Sequence, residues 1–410
     1  MNFRYALVLV SICWATSAAA EIQEGMWRAW LQSPGGEIPF GLEIQKSADG
    51  WGGAILNGDE RIEIPSLRLE DGAWLIDFPH YDSKIRASLG ENGQSLSGEW
   101  HMVRRDHDTR MPFEARFGDQ ERFDAPEQFE RADWSAAGRW LVNFESDDQD
   151  SVGMFEQGEG SALSGTFLNV TGDYRYLAGR QDGKQLSLSC FDGAHAFLFH
   201  ATQQSADSLS GEFWSRDTWH ETWTATRDPQ AVLPDAFGVT SLDESIELGS
   251  LSFPDLTGQM RALDDDAFAG SCRILYVFGS WCPNCADATE YLVELQERYG
   301  RRGLSVLGLA FEHSGDFERD SRQVRRYMKR HGVDYPVLVA GLSDKAEASK
   351  ALPLLDRVRS YPTTIFLDAD SRVRAIHTGF TGPATGAAHI RLKARFQAII
   401  EELLGEAAGR

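Results

Sequence analysis

The chain has 410 residues, 42% of them hydrophobic and 12 of them tryptophan, which is enough for two or three packed domains. A formal net charge of -22 at neutral pH argues against nucleic acid or an anionic membrane surface as partner. Five cysteines in so long a chain do not make a disulfide scaffold; they point to one redox pair with extras.

Residues 1–20 read as a cleaved export signal. Arg4 supplies a basic start, Tyr5 to Thr16 an apolar stretch too short to span a membrane, and Ala18-Ala19-Ala20 a small-residue cleavage site before Glu21. Cys13 follows Ile12, where a lipid-modified cysteine wants a small neighbour, and goes with the discarded signal. The mature chain is expected to be a soluble periplasmic protein with four cysteines, Cys190, Cys272, Cys282 and Cys285.

Residues 21–118 and 137–228 have short alternating runs, many glycines and almost no helical period. They also repeat. Leu96-Ser97-Gly98-Glu99-Trp100 recurs as Leu209-Ser210-Gly211-Glu212-Phe213, and Gly25-Met26-Trp27 as Gly138-Arg139-Trp140, each offset by 113 positions. Gly53 to Asn57 matches Gly165 to Asn169 at an offset of 112. Each half divides into about eight short strands joined by turn residues, which predicts a duplicated, all-β antiparallel region closed as a barrel or folded as a sandwich. The Gly-x-Trp starts are faintly similar to lipocalins. Residues 119–136, rich in Asp, Glu and Arg, read as a connector, and 229–244 as a linker. His195, His200, Trp214, Trp219, His220 and Trp223 are candidates to line a ligand or client site, against the plainer reading of core and rim.

From residue 245 to 410 the texture changes to strand-helix alternation. The apolar run Ile274 to Phe278 leads into Trp281-Cys282-Pro283-Asn284-Cys285, followed by a helix through Ala288, Leu292, Leu295 and Tyr299 that stops at Gly300. This puts Cys282 at a helix N-terminus, where unpaired N–H groups and the aligned peptide dipoles favour a thiolate and bring its pKa from about 8.5 towards about 7 or lower. Cys285, one turn on, is within reach of a disulfide formed at Cys282. Pro283 suits the first helical turn because its missing N–H costs nothing there. Trp281 covers one side of the sulfur. Strands from Leu304 to Phe311 and Val337 to Ala340, a basic helix from about Glu318 to His331, a short helix around Ala346 to Leu355, strands from Thr364 to Leu367 and Val373 to His377, and a last helix from about His389 to Leu404 complete a parallel core with an antiparallel edge. Arg322, Arg325, Arg326, Lys329 and Arg330 on the basic helix read as a solvated face.

These motifs, with Ser360-Tyr361-Pro362-Thr363-Thr364-Ile365-Phe366 and Gly379 to Gly386, resemble the TlpA/ResA-like extracytoplasmic branch of the thioredoxin superfamily over roughly residues 245–406. The resemblance implies an α/β thioredoxin fold and a protein-disulfide reductase that uses the Cys282–Cys285 pair through a mixed disulfide. It makes Pro362 the cis-proline opposite the cysteines, where Tyr361 and Thr363 would meet a client strand, with Trp281 and Pro283 flanking the sulfur. Thioredoxin carries an aspartate six residues before its first cysteine, where this chain has Tyr276; ResA-like proteins use a glutamate at the end of the neighbouring strand, and the resemblance implies Glu312, ranked ahead of the adjacent His313, as the proton acceptor for Cys285. A membrane thiol-electron donor and disulfide-containing client proteins, apocytochrome c among them, follow as expected partners. No cofactor and no metal is called for, since a zinc site needs four ligands and no second Cys-x-x-Cys or paired histidines accompany this one.

Two other functions compete with this one. A thiol peroxidase of the peroxiredoxin kind carries Thr or Ser three residues before the reactive cysteine, where this chain has Gly279. A client- or ligand-binding β module with an accessory redox domain is the other. For Cys190 and Cys272, two buried thiols and a bridge between the β region and the redox domain both stay open.

Overall fold

A computed structural model describes residues 21–48, 50–118, 121–124 and 133–409. The proposed export signal, including Cys13, and much of the connector lie outside the described residues.

The first repeat contributes β1 (Gly25–Ser33), β2 (Gly36–Ser47), β3 (Gly50–Asn57), β4 (Glu60–Glu63), β5 (Ser66–Glu70), β6 (Ala73–Phe78), β7 (Ser83–Leu89), β8 (Ser95–Met102) and β9 (Thr109–Phe117). The second contributes β10 (Gly138–Phe144), β11 (Ser151–Gln157), β12 (Ala162–Asn169), β13 (Gly172–Asp173), β14 (Leu177–Asp182), β15 (Gln185–Phe191), β16 (Ala196–Ser205), β17 (Ser208–Ser215) and β18 (Trp219–Arg227). Each set is an antiparallel meander whose ends meet. β1 pairs with both β2 and β9, and β2 with β3; β10 pairs with both β11 and β18, and β11 with β12. Eight strands therefore close each ring, and the ninth, β4 or β13, is a short flap hairpinned onto β3 or β12. The region is two barrels, not a sandwich.

Alternation carries the barrels. Along β9, Thr109, Met111, Phe113 and Ala115 point inward and are buried, while Arg110, Pro112, Glu114 and Arg116 face out. Trp27 and Trp140 occupy equivalent core positions and satisfy their indole N–H groups the same way, on the carbonyls of Gln23 (3.1 Å) and Ala136 (2.9 Å). Phe144, Phe167, Phe199, Phe213 and Trp223 fill the second barrel with edge-on and stacked rings.

The C-terminal domain opens with a hairpin that the sequence pattern did not announce, β19 (Ser252–Pro254) and β20 (Met260–Ala262). Its sheet is built from β21 (Cys272–Phe278), β22 (Leu304–Glu312), β23 (Val337–Leu342), β24 (Thr363–Asp368) and β25 (Val373–Thr378), in the order β23-β22-β21-β24-β25. The first three run parallel and β24 and β25 antiparallel, with α1 (Pro283–Tyr299), α2 (Phe317–His331), α3 (Lys345–Ala351) and α4 (Ala387–Ala408) packed against them. This is a thioredoxin fold. The short helix ends at Ala351 instead of continuing to Leu355, because Leu352, Leu354 and Leu355 turn into the core.

Cys190 sits in the core of the second barrel and Cys272 in that of the C-terminal domain, both as buried free thiols. Burial pushes Cys272 up to about 12. α2 is not a fully solvated face. Gln323 Nε2 donates to the carbonyls of Pro79 (2.9 Å) and His80 (2.8 Å), and Arg319 pairs with Asp82 (2.5 Å), so this helix seats the first barrel.

Candidate active site at the barrel interface

β21 is buried along its whole length and delivers the chain to Gly279 at the sheet edge. Trp281 folds back over this turn: its Nε1 donates to Phe311 O at 2.9 Å, and its indole stacks on His313 with centroids 4.8 Å apart. A Cβ at Gly279 would lie 2.3 Å from Trp281 Nε1, so the position where a peroxiredoxin carries Thr or Ser is taken up by tryptophan packing.

Cys282 is the N-cap of α1. Its backbone is extended (φ -107°, ψ 111°), and its Sγ accepts the Cys285 N–H at 3.2 Å. Pro283 fills the first helical position and is buried. Cys282 is 7% exposed and lines a cleft, whereas Cys285 is fully buried and does not reach it. Burial first, then the neighbouring Cys282, pushes the Cys285 thiol well above its usual range. Cys285 therefore needs a base to become a nucleophile.

Glu312 ends β22 beneath the same turn. Ser280 N donates to its Oε1 (2.9 Å) and Ser280 Oγ to its Oε2 (2.7 Å). Burial raises its carboxyl to about 8 against these bonds, and its charge adds to the upward push on Cys285. His313 is differently placed. It bonds Ser343 Oγ (2.9 Å), and burial together with Arg104, Arg319 and Arg105 lowers it to about 3, so it stays neutral. Tyr276 donates its hydroxyl to Cys285 O at 2.7 Å and joins Thr289 and Tyr327 in a buried hydroxyl chain.

Across from the cysteines, the Tyr361-Pro362 peptide is cis and the Cys282 thiol lies 3.5 Å from Tyr361 O. Thr363, expected beside a client strand, is instead fully buried and donates to Ser360 O at 2.9 Å, bracing the loop from within.

The pattern of the sequence did not reveal that a β barrel forms the other half of the site. The turn joining β12 to β13 lies over the redox face. Ser360 Oγ donates to Thr171 O (3.1 Å), Asn284 Nδ2 to Asp173 O (3.2 Å), and Gly382 N to Asp173 Oδ2 (2.6 Å). A Cβ on Gly379 would come within 2.5 Å of the Thr171 backbone, which measures how closely the two chains approach. Behind this turn, buried Arg175 joins three carboxylates, one from each body: Glu60 of the first barrel (3.0 Å), Asp192 of the second (3.4 Å) and Asp287 of α1. Burial raises Asp287 to about 7 against the pull of Arg175, while Asp192, despite burial, is held down to about 2 by His195 and Arg175.

What remains open above Cys282 is a cleft of about 300 Å³, walled by Tyr174, His195 and Phe197 of the second barrel and by Trp281, Tyr361 and Asn284 of the redox domain. Of the residues singled out from sequence in the barrels, only His195 reaches it. Trp223 is core, His220 stacks on Trp214 at 4.9 Å, His200 packs near Phe123, and Trp219 is exposed. Among the described residues no group of three or more His, Cys, Asp and Glu side chains is placed to hold a metal ion.

A thioredoxin fold with a paired-cysteine turn capping its first helix defines a disulfide oxidoreductase domain. Residues 247–388 match the Redoxin family. The chain is 25% identical over 140 residues to the thiol-disulfide oxidoreductase ResA of Bacillus cereus, covering 33% of this chain and 72% of ResA. It is 27% identical over 138 residues to the thioredoxin-like protein YneN of Bacillus subtilis, covering 34% and 73% respectively. A putative thiol:disulfide interchange protein DsbE from Chlorobium tepidum superposes on 40% of this chain and 99% of its own, at 20% identity and a TM-score of 0.31. The C-terminal domain is a Redoxin domain similar to the ResA thiol-disulfide oxidoreductases, and it follows two β barrels in the chain.

Proposed function

We propose that this is an extracytoplasmic disulfide reductase whose Cys282 thiolate attacks a substrate disulfide and whose Cys285 resolves the mixed disulfide. The observation that carries this reading is the asymmetry of the pair: Cys282 caps α1 and lines the cleft while Cys285 is sealed behind it, within the electrostatic reach of Glu312. Attack by Cys282 forms one S–S bond and expels the first substrate thiolate. Glu312, held by Ser280, takes the proton of Cys285. The Cys285 thiolate then displaces the second substrate thiolate, leaving a Cys282–Cys285 disulfide and carrying two electrons to the substrate. Tyr361 and Pro362 form the opposite wall.

The reducing direction and a membrane thiol donor follow from the ResA-like character of the domain, and apocytochrome c is the protein client which that character implies for the domain taken without its barrels. Residues 1–20 support export, and among the described residues no helix is long and apolar enough to cross a membrane. Trapping with Cys285→Ser tests the mechanism. The expected result is a stable adduct on Cys282 that is released by dithiothreitol; no adduct at Cys282 with any disulfide would remove the proposal. Cell fractionation, with the mature chain expected to begin at Glu21, tests the location.

A further inference from the structure

The turn that joins β12 to β13 occupies the surface on which a thioredoxin domain would lay an extended peptide. Thr171 O takes the hydroxyl of Ser360, the residue before Tyr361; Asp173 takes Asn284 of the Cys-Pro-Asn-Cys turn through its backbone and Gly382 through its side chain. The proline loop is buried as a result, with Ser360 at 3% and Tyr361 at 8% exposure. This turn is not loosely laid on. Arg175 locks it to Asp287 of α1, and the first barrel holds α2 from the far side through Asp82, Pro79 and His80. A folded protein cannot add a strand beside Tyr361 while the second barrel is seated.

The remaining approach to Cys282 is the aromatic cleft, whose volume of about 300 Å³ is at the lower limit of small-molecule sites. Two of its lining residues hold a buried polar atom without a protein partner, the acceptor Asn284 Oδ1 and the hydroxyl of Tyr361. Such groups are ordinarily satisfied. The wall of the cleft over Cys282 therefore contains polar groups that no protein atom satisfies.

We infer that the substrate of this oxidoreductase is a low-molecular-weight disulfide, and that the second barrel makes it so by covering the protein-binding face and building half of the cleft. This rests on the redox reading of Cys282 and Cys285. The chemistry is the same: the dithiol gives two electrons to RSSR, two RSH leave, and a Cys282–Cys285 disulfide remains.

The test uses the full-length reduced protein in single turnover. It is mixed with cystine, or with insulin at equal disulfide concentration, and oxidation of the pair is followed by acid quench, alkylation and mass measurement. Each rate is divided by that of dithiothreitol with the same disulfide. Because exchange rates follow access to the attacking sulfur, the normalised rate for cystine is expected to exceed that for insulin by about 100-fold or more. Equal normalised rates would overturn the inference and leave the redox reading intact, whereas oxidation by neither disulfide would remove both. Arg175→Met, which unlocks the turn, is expected to raise the insulin rate about 10-fold or more and so to narrow the ratio of cystine to insulin rates. An insulin rate unmoved in a folded Arg175→Met protein whose barrel has detached would also count against the inference. The wild-type comparison stands whether or not that variant folds.

Discussion

The two barrels share a strand plan and differ in what their flap hairpins touch. At an offset of 112 positions, Asn57 pairs with Glu60 in the first barrel just as Asn169 pairs with Gly172 in the second. In the first barrel Asn57 reaches across to the second, giving Nδ2 to Phe191 O (2.8 Å) and taking Phe191 N (3.1 Å) and Arg122 Nη2 (3.0 Å) on Oδ1. In the second barrel Asn169 turns inward to cap Thr171, and the turn it shapes docks on the redox domain. The same hairpin thus serves twice as a connector: first barrel onto second, second barrel onto the sulfur site. Duplication supplied the scaffold, and a few side chains in one hairpin decided which copy faces the chemistry.

The largest expected effect lies in the redox domain and should leave both barrels untouched. Cys282→Ser is expected to lower disulfide turnover at least about 1000-fold, since serine oxygen is no nucleophile towards sulfur, with an unchanged thermal unfolding curve. Next is the joint between the bodies. Arg175→Met strands Glu60, Asp192 and Asp287 at a buried junction and is expected to cost about 3–5 kcal/mol in denaturant unfolding. The equivalent residue of the first barrel, Glu63, is exposed, and Glu63→Met is expected to change stability by no more than about 0.5 kcal/mol. Similar losses for both variants would break the contrast between the hairpins.

Glu312→Gln can still accept one Ser280 bond on its amide oxygen but cannot take a proton, and is expected to slow resolution of the mixed disulfide by about 10–100-fold, read as accumulation of the adduct in wild-type-cysteine protein. Glu312 also gives a pH signature. Its carboxyl is raised by burial from 4.5 to about 8, so the folded state favours the protonated form. The stability this group contributes is full below pH 4.5 and is lost as pH rises through about 8. Asp287, raised to about 7, acts with the same sign. Unfolding temperature should therefore fall as pH rises from 4.5 through about 8 on account of these groups, and Glu312→Gln should flatten that slope, as about 1.4 kcal/mol accompanies each unit of difference in pKa. The smallest effect sharpens the comparison once more. Asn57→Ala, which orphans Phe191 N and Phe191 O at the barrel-barrel contact, is expected to cost about 1–3 kcal/mol, and Asn169→Ala, which removes only a turn cap, about 1 kcal/mol or less.

The duplication, the strand-rich texture of residues 21–228 and the strand-to-helix turn carrying Cys282 and Cys285 could all be read from residue order. The reason is that each is a local property: alternation has a period of two, a helix start needs a cap and a proline within a few positions, and a repeat is a comparison of the chain with itself. Glu312 was singled out by resemblance, because ResA-like proteins carry a glutamate at the end of the neighbouring strand, and the structure has it at the end of β22. Barrel closure was not, because a strand buried on one face alternates identically in a barrel and in a sandwich; the pairings β1–β9 and β10–β18 settle it. Thr363 was misplaced because one residue along β24 moves a side chain from the cleft to the core. The seating of Thr171 to Asp173 over Ser360 and Asn284 left no trace in the pattern at all. It joins side chains and carbonyls more than a hundred positions apart, and Arg175 is an ordinary charged residue of a turn until three bodies bring Glu60, Asp192 and Asp287 around it. Order along the chain determined which sulfur caps the helix; packing in space decided what lies over it.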